Sequence, residues 1–239
     1  MKRQGVLVKF FLSLFLAWGI GGTTFAASIT ISTLDNPIQP GTSNQGWWSN
    51  SSSNFNSTNI STIIGTASPT GTHRAYLTYY LPQLSQQVVS ATLFYNRRGA
   101  SLSTNEEFET VGFFDVTTDP ILLNTQLGPS FSVYNDLGSG DSYGQFVIPG
   151  TGPSDATLSF ALSSAAVADI STAGEGYFSI GVSLLSNDGN DALFGSFGPQ
   201  PTLILQFVPE PGTGMLLAFG TMLALSPLRQ LQLRKRYNP

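Results

Sequence analysis

Between residues 28 and 207, apolar side chains recur at every second position in short runs, and Gly, Pro, Asn and Asp separate the runs. Ser28-Ile29-Thr30-Ile31-Ser32 alternates polar and apolar, which is the period of a half-buried strand. The spacing predicts further strands over 74–81, ended by Pro82, and then over 88–95, 108–116, 145–148, 156–162, 176–185 and 200–207. One run has a different character. Ser163 is placed to cap a short helix over 165–172, and Gly174 to close it. Residues 121–127 read as a short connecting element, and Asn187-Asp188-Gly189-Asn190-Asp191 is turn chemistry. Residues 35–62 are rich in Ser, Asn, Thr and Gly; they read as a long wrapping loop pinned to the body by Trp47, Trp48 and Phe55. Seven or more short strands with such separators predict an all-β fold: a β-sandwich, jelly-roll-like, with one short helix.

Neither end follows this pattern. Lys2, Arg3 and Lys9 precede an apolar run over 10–20, and Thr24-Phe25-Ala26 puts small residues at the −3 and −1 positions of a cleavage site. Residues 1–26 therefore read as a secretory signal peptide, a substrate for signal peptidase. At the other end, Val208-Pro209-Glu210-Pro211 leads into an uncharged stretch over 212–228, followed by Arg229 and the cluster Arg234-Lys235-Arg236. Seventeen residues at about 1.5 Å each are just enough to cross a hydrocarbon core roughly 30 Å thick as a single transmembrane helix. The cations after it hold the tail in the cytoplasm and leave the body outside. Pro209 and Pro211 lack the amide hydrogen and favour extended backbone, so the motif stays out of the helix that follows. Glu210 is then the only charge offered at the membrane surface.

This order of motif, span and basic end resembles the PEP-CTERM sorting signal of exopolysaccharide-producing bacteria. The resemblance covers residues 208–236. It implies recognition and cleavage near Pro-Glu-Pro by an exosortase, a membrane-embedded transpeptidase-like enzyme. It also implies a Gram-negative-type host, transient anchoring in the inner membrane, and delivery to the cell surface. Ser226-Pro227 interrupts the span near its cytoplasmic end, a departure that shifts the span boundary. The body, residues 27–207, carries a looser resemblance. Gly46-Trp47-Trp48, Val88-Val89-Ser90-Ala91-Thr92-Leu93, Phe114-Asp115-Val116-Thr117-Thr118 and Asp136-Leu137-Gly138 occur in an order similar to PEP-CTERM ectodomains and to secreted jelly-roll domains of polysaccharide-active proteins.

Composition narrows the function classes. The chain's formal charge of −4 includes the cationic ends; residues 27–208 hold three arginines (Arg74, Arg97, Arg98) against thirteen carboxylates. So acidic a body is a poor nucleic-acid binder, and it repels anionic polysaccharide unless divalent cations bridge the two. Cysteine is absent, which excludes disulfides, thiol catalysis and thiolate metal sites.

The candidate chemistry is sparse. Glu107 and Glu109 fall on one face of a strand at i, i+2, roughly 6.5–7 Å apart at Cα, within the range of a glycosidase pair. His73, the single histidine, reads as a solvated residue at a strand edge. Asp188 and Asp191, with Asn190, are weak candidates for calcium, as are Asp136 and Asp141, because their loops supply oxygens. Trp47 and Trp48 are adjacent and so point opposite ways on an extended chain. One can plug the sandwich while the other offers a flat face for a sugar ring; Tyr79, Tyr80 and Tyr95 are lesser candidates. The expectation is a non-enzymatic, exported surface or matrix protein associated with extracellular polysaccharide, with no cofactor required. A carbohydrate-binding module is the alternative, and a polysaccharide hydrolase or lyase a third.

Overall fold

The structure, a computed structural model, describes residues 27–35, 44–51, 61–66, 71–96, 104, 106–125, 130–150, 156–189, 191–194 and 200–208. The expected signal peptide, the sorting stretch from Pro209 onward, the span and the basic stop lie outside the described residues, as do Phe55, Arg97, Arg98 and Asn190. Among the described residues no helix is long and apolar enough to cross a membrane.

The strands are β1 (Ser28–Ser32), β2 (Gln45–Ser49), β3 (Ile64–Thr66), β4 (Thr72–Leu81), β5 (Val88–Asn96), β6 (Phe108–Asp115), β7 (Ser142–Pro149), β8 (Thr157–Ala161), β9 (Gly176–Leu184), β10 (Ala192–Leu193) and β11 (Thr202–Phe207). The helices are α1 (Pro120–Thr125), α2 (Phe131–Asp136) and α3 (Ser164–Ala173), and a 3₁₀ turn follows β1 over Thr33–Asp35. Two of these helices are additions to the one expected. The expected long loop over 35–62 is also interrupted by β2, which pairs with β4 from Gln45 opposite Leu77 to Ser49 opposite His73.

The strands form two antiparallel sheets. The smaller runs β1-β11-β5-β8. In the larger, β4 is the hub. It pairs with β9 over Ala75–Leu81, with β2 over His73–Leu77 and with β3 at Thr72 and His73, while β6 and β7 extend the sheet beyond β9. The alternation read from the sequence places one face of each sheet in a shared core. Leu93, Leu203 and Leu205 of the small sheet and Leu77, Tyr79, Phe113, Ile180 and Val182 of the large one have no exposed surface and belong to one apolar cluster. The arrangement is a β-sandwich, and α3 adds Ala166 and Ile170 to the same core.

The large sheet is also covered on its other face, over β4 and β9. Trp48, Tyr76, Leu123, Val133, Tyr134 and Leu137 form a second buried cluster there, built by β2, β4 and the two short helices. On β9 the positions of that face are Ser179, Gly181 and Ser183, all buried. Small side chains let the cover sit close to the strand: a β-carbon at Gly181 would lie 2.6 Å from the Leu137 carbonyl oxygen. Gly181→Ala must push that backbone away. Overpacking of this kind costs about 1–3 kcal/mol, read as a lower urea midpoint at unchanged slope. An unchanged midpoint would show that the cover is not seated on the sheet at this point.

Candidate functional site

The residues with chemical promise fall into three groups, and the structure treats each differently. The first is aromatic. Trp47 and Trp48 point to opposite faces of β2, as an extended chain requires. Trp48 is sealed under the helical cover at 0% exposure, so it has no face to offer a sugar, and its indole N–H finds no acceptor among the described residues. Trp47 is half-buried and meets the His73 ring edge-on at 4.5 Å. His73 is itself only 1% exposed, not the solvated edge residue expected. Burial holds its imidazole below the ordinary value, against the raising effect of the Gly65 and Gly71 backbone. Tyr79 and Tyr95 are core residues. Tyr80 alone of the three tyrosines keeps surface; it donates to Glu175 at 3.1 Å and packs edge-on against Tyr177.

The second group lies around α2. The carboxylate of Asp136 accepts from the backbone and hydroxyl groups of both Thr117 and Thr118, at 2.6–3.0 Å. It has become the clasp of the loop after β6, with its oxygens committed to protein donors. Arg74 fastens the same helix. Its guanidinium donates to the Tyr134 and Asn135 carbonyls at 3.0 and 3.1 Å and lies 4.4 Å above the Tyr134 ring. Such contacts satisfy carbonyls left open at a helix end. Asp115, one strand residue before this loop, is less well provided for: its Oδ1 is buried without a hydrogen-bond partner.

The third group is acidic. Glu109 is the second residue of β6, opposite Ile148 of β7, and is 1% exposed, whereas Glu107 is exposed just before the strand. The expected i, i+2 pair is therefore split between interior and solvent. Glu109 instead meets Glu106 and Asp191, one oxygen from each lying within 4.8 Å of the other two. Thr104 Oγ1 lies within hydrogen-bonding range of both Glu109 and Glu106, and Ser186 donates to the other Glu109 oxygen. Asp191 accepts from the Asp188 amide at 3.2 Å. Asp188 itself is exposed and contributes no oxygen to the group of three. Burial, with Glu106 and Glu109 alongside, lifts the Asp191 carboxyl to about 6.

Of the expected sorting residues only Val208 is described. It is 41% exposed, and its N–H donates to Gln87 at 3.0 Å, the last contact before Pro209. No protein-family model matches the chain, and no curated protein matches it in sequence. The likeness to sorted surface proteins rests on the residues that carry it.

Asp115 supplies a pH test. Burial raises its carboxyl above the ordinary value of 3.8, and the charges of Asp141, Asp136 and Asp169 add to the rise. The folded chain holds that proton more tightly than the unfolded chain, so the contribution to stability is full below 3.8 and is lost as pH rises through the folded value. Asp115→Asn removes the ionisation. The variant is expected to be more stable than the parent at neutral pH and to converge with it below pH 3.8 in urea titrations. A variant less stable at neutral pH would mean that the charged form is the favoured one.

Proposed function

We propose that the chain is a non-enzymatic, exported protein of the cell surface or extracellular matrix. On this reading signal peptidase removes residues 1–26, the C-terminal span holds the body at the inner membrane, and an exosortase-like enzyme acts at Val208-Pro209-Glu210-Pro211. The mature jelly-roll-like body then resides among extracellular polysaccharide.

One observation supports this reading above the others: the compact unit runs from Ser28 to Val208. Both apolar clusters of the described residues fall within it. Its last strand ends at Phe207, two residues before the first proline of the motif. A processing enzyme can grip an extended Pro-Glu-Pro peptide there without unfolding the domain. The geometry is less helpful to the alternative of a dedicated sugar-binding module, because Trp48 is sealed and only Trp47 of the pair retains surface.

Intact mass and cell fractionation of the native protein test the proposal, with Glu210→Ala as the variant. The expected parent form begins near Ala27, ends between Val208 and Gly212, and leaves the membrane fraction. The variant is expected to accumulate in the membrane with its C-terminus intact. A parent that still ends at Pro239 and stays in the membrane would overturn the sorting reading.

A further inference from the structure

The cluster of Glu106, Glu109 and Asp191 has a requirement that its surroundings leave unmet. Asp191 is 0% exposed, and among the described residues its Oδ1 finds no hydrogen-bond donor. Its carboxylate is turned into the cluster, within side-chain hydrogen-bonding range of Glu106 and with the Glu109 charge next to it. Among the described residues, few donors reach the two buried carboxylates, Glu109 and Asp191. Thr104 Oγ1 touches both Glu106, at 3.0 Å, and Glu109, yet a hydroxyl carries one proton. Ser186 spends its own on the second Glu109 oxygen. Arg74 is the one arginine or lysine among the described residues, and it is engaged on the far side of β4 with α2. A buried carboxylate oxygen without a donor, facing two more carboxylates, is costly unless something positive joins it.

We propose that Glu106, Glu109 and Asp191 bind a divalent cation of the calcium class. The donor set is all oxygen, without imidazole or thiolate, which suits a hard ion. Calcium takes oxygens at about 2.3–2.6 Å, so two ligands on opposite sides of one ion stand roughly 4.6–5.2 Å apart. The three carboxylate oxygens, within 4.8 Å of one another, fit around a single ion of that size. Thr104 Oγ1 lies on two of the three carboxylates and is placed to add a neutral ligand; water completes a shell of about six to eight oxygens. Glu109 is the second residue of β6, Glu106 lies two residues before that strand, and Asp191 immediately precedes β10. The ion would tie those two segments together. Neither these residues nor the test below depends on the sorting reading.

The test uses the full-length chain, stripped with EDTA and titrated with calcium chloride by calorimetry and by thermal unfolding. The expected result is saturable binding of about one ion per chain and a rise in Tm that EDTA reverses. Glu109→Gln and Asp191→Asn are each expected to lose binding and the calcium-dependent rise. Asp141→Asn, on another loop, is expected to keep both. Should the two buried variants fail to fold by circular dichroism, Glu106→Gln, at the half-exposed side of the cluster, replaces them and is expected to weaken binding at least tenfold. A folded parent that takes up no calcium would overturn the proposal. So would a calcium response that survives in the folded variants. Stability that rises on acidification and ignores calcium would also overturn it, showing that the carboxylates share a proton.

Discussion

Burial of β4 and β9 on both faces is the constraint from which the rest of the architecture follows. A sandwich strand ordinarily turns alternate residues to water. Here Ala75, Tyr76, Leu77, Thr78 and Tyr79 are all buried in succession, and so are Phe178 through Leu184. The second face therefore needs a cover, and the chain supplies it with two helices of six residues each. Helices so short do not persist in water by their own hydrogen bonds. They hold because Trp48, Tyr76 and Leu137 close over apolar surface, and because Arg74 and Asp136 fasten the end of α2 to the strand and to the loop beside it.

Much of the chain's apparent chemistry is consumed by that cover. Arg74 closes a helix end, Asp136 clasps two threonines, Trp48 fills space, and His73 sits buried against Trp47. Residue types that suggest ligands when read singly are here the means of sealing an extra layer. Asn124 does similar work: it reaches from α1 to Thr78, which in turn shares a hydrogen bond with Ser179 of β9. The acidic cluster lies at the opposite extreme. Its carboxylates face one another, and no packing argument accounts for bringing them together.

Strands whose inner residues alternate were legible because period two survives any tertiary context that buries one face. Those at 28–32, 88–96 and 202–207 fall close to where the alternation puts them. So does α3, framed by Ser163 and Gly174, although the Ser163 side chain makes no capping bond. What was not legible has physical causes. The strand at Gln45–Ser49 is five residues inside a polar, low-complexity stretch, and it exists by pairing with β4 rather than by its own pattern. The helices over 120–125 and 131–136 are too short to show a 3.6-residue period. For the glutamates, period two does not carry across a strand start. Phe108 opens β6, so Glu107 belongs to the preceding turn and owes nothing to the strand's alternation. The partners of Glu109 are distant, Ser186 being 77 residues along the chain, and no local signal announces such a meeting.

A cysteine-free domain has no disulfide with which to join distant segments covalently. The strand that carries Glu109 is joined to the residues just after β9 through backbone and hydroxyl contacts, from Leu185 to Thr110 and from Thr110 to Ser186. Three carboxylates placed on that junction would loosen it through like-charge repulsion if left alone. With a divalent ion between them the same charges would tighten it, and the junction would become responsive to the ion's concentration. The excess of carboxylates over the body as a whole points the same way. It sets the protein against anionic polysaccharide except where divalent cations are plentiful enough to bridge them. One cation-rich setting would then serve both the junction and the surface charge, which gives so acidic a body a physical reason to keep these carboxylates together.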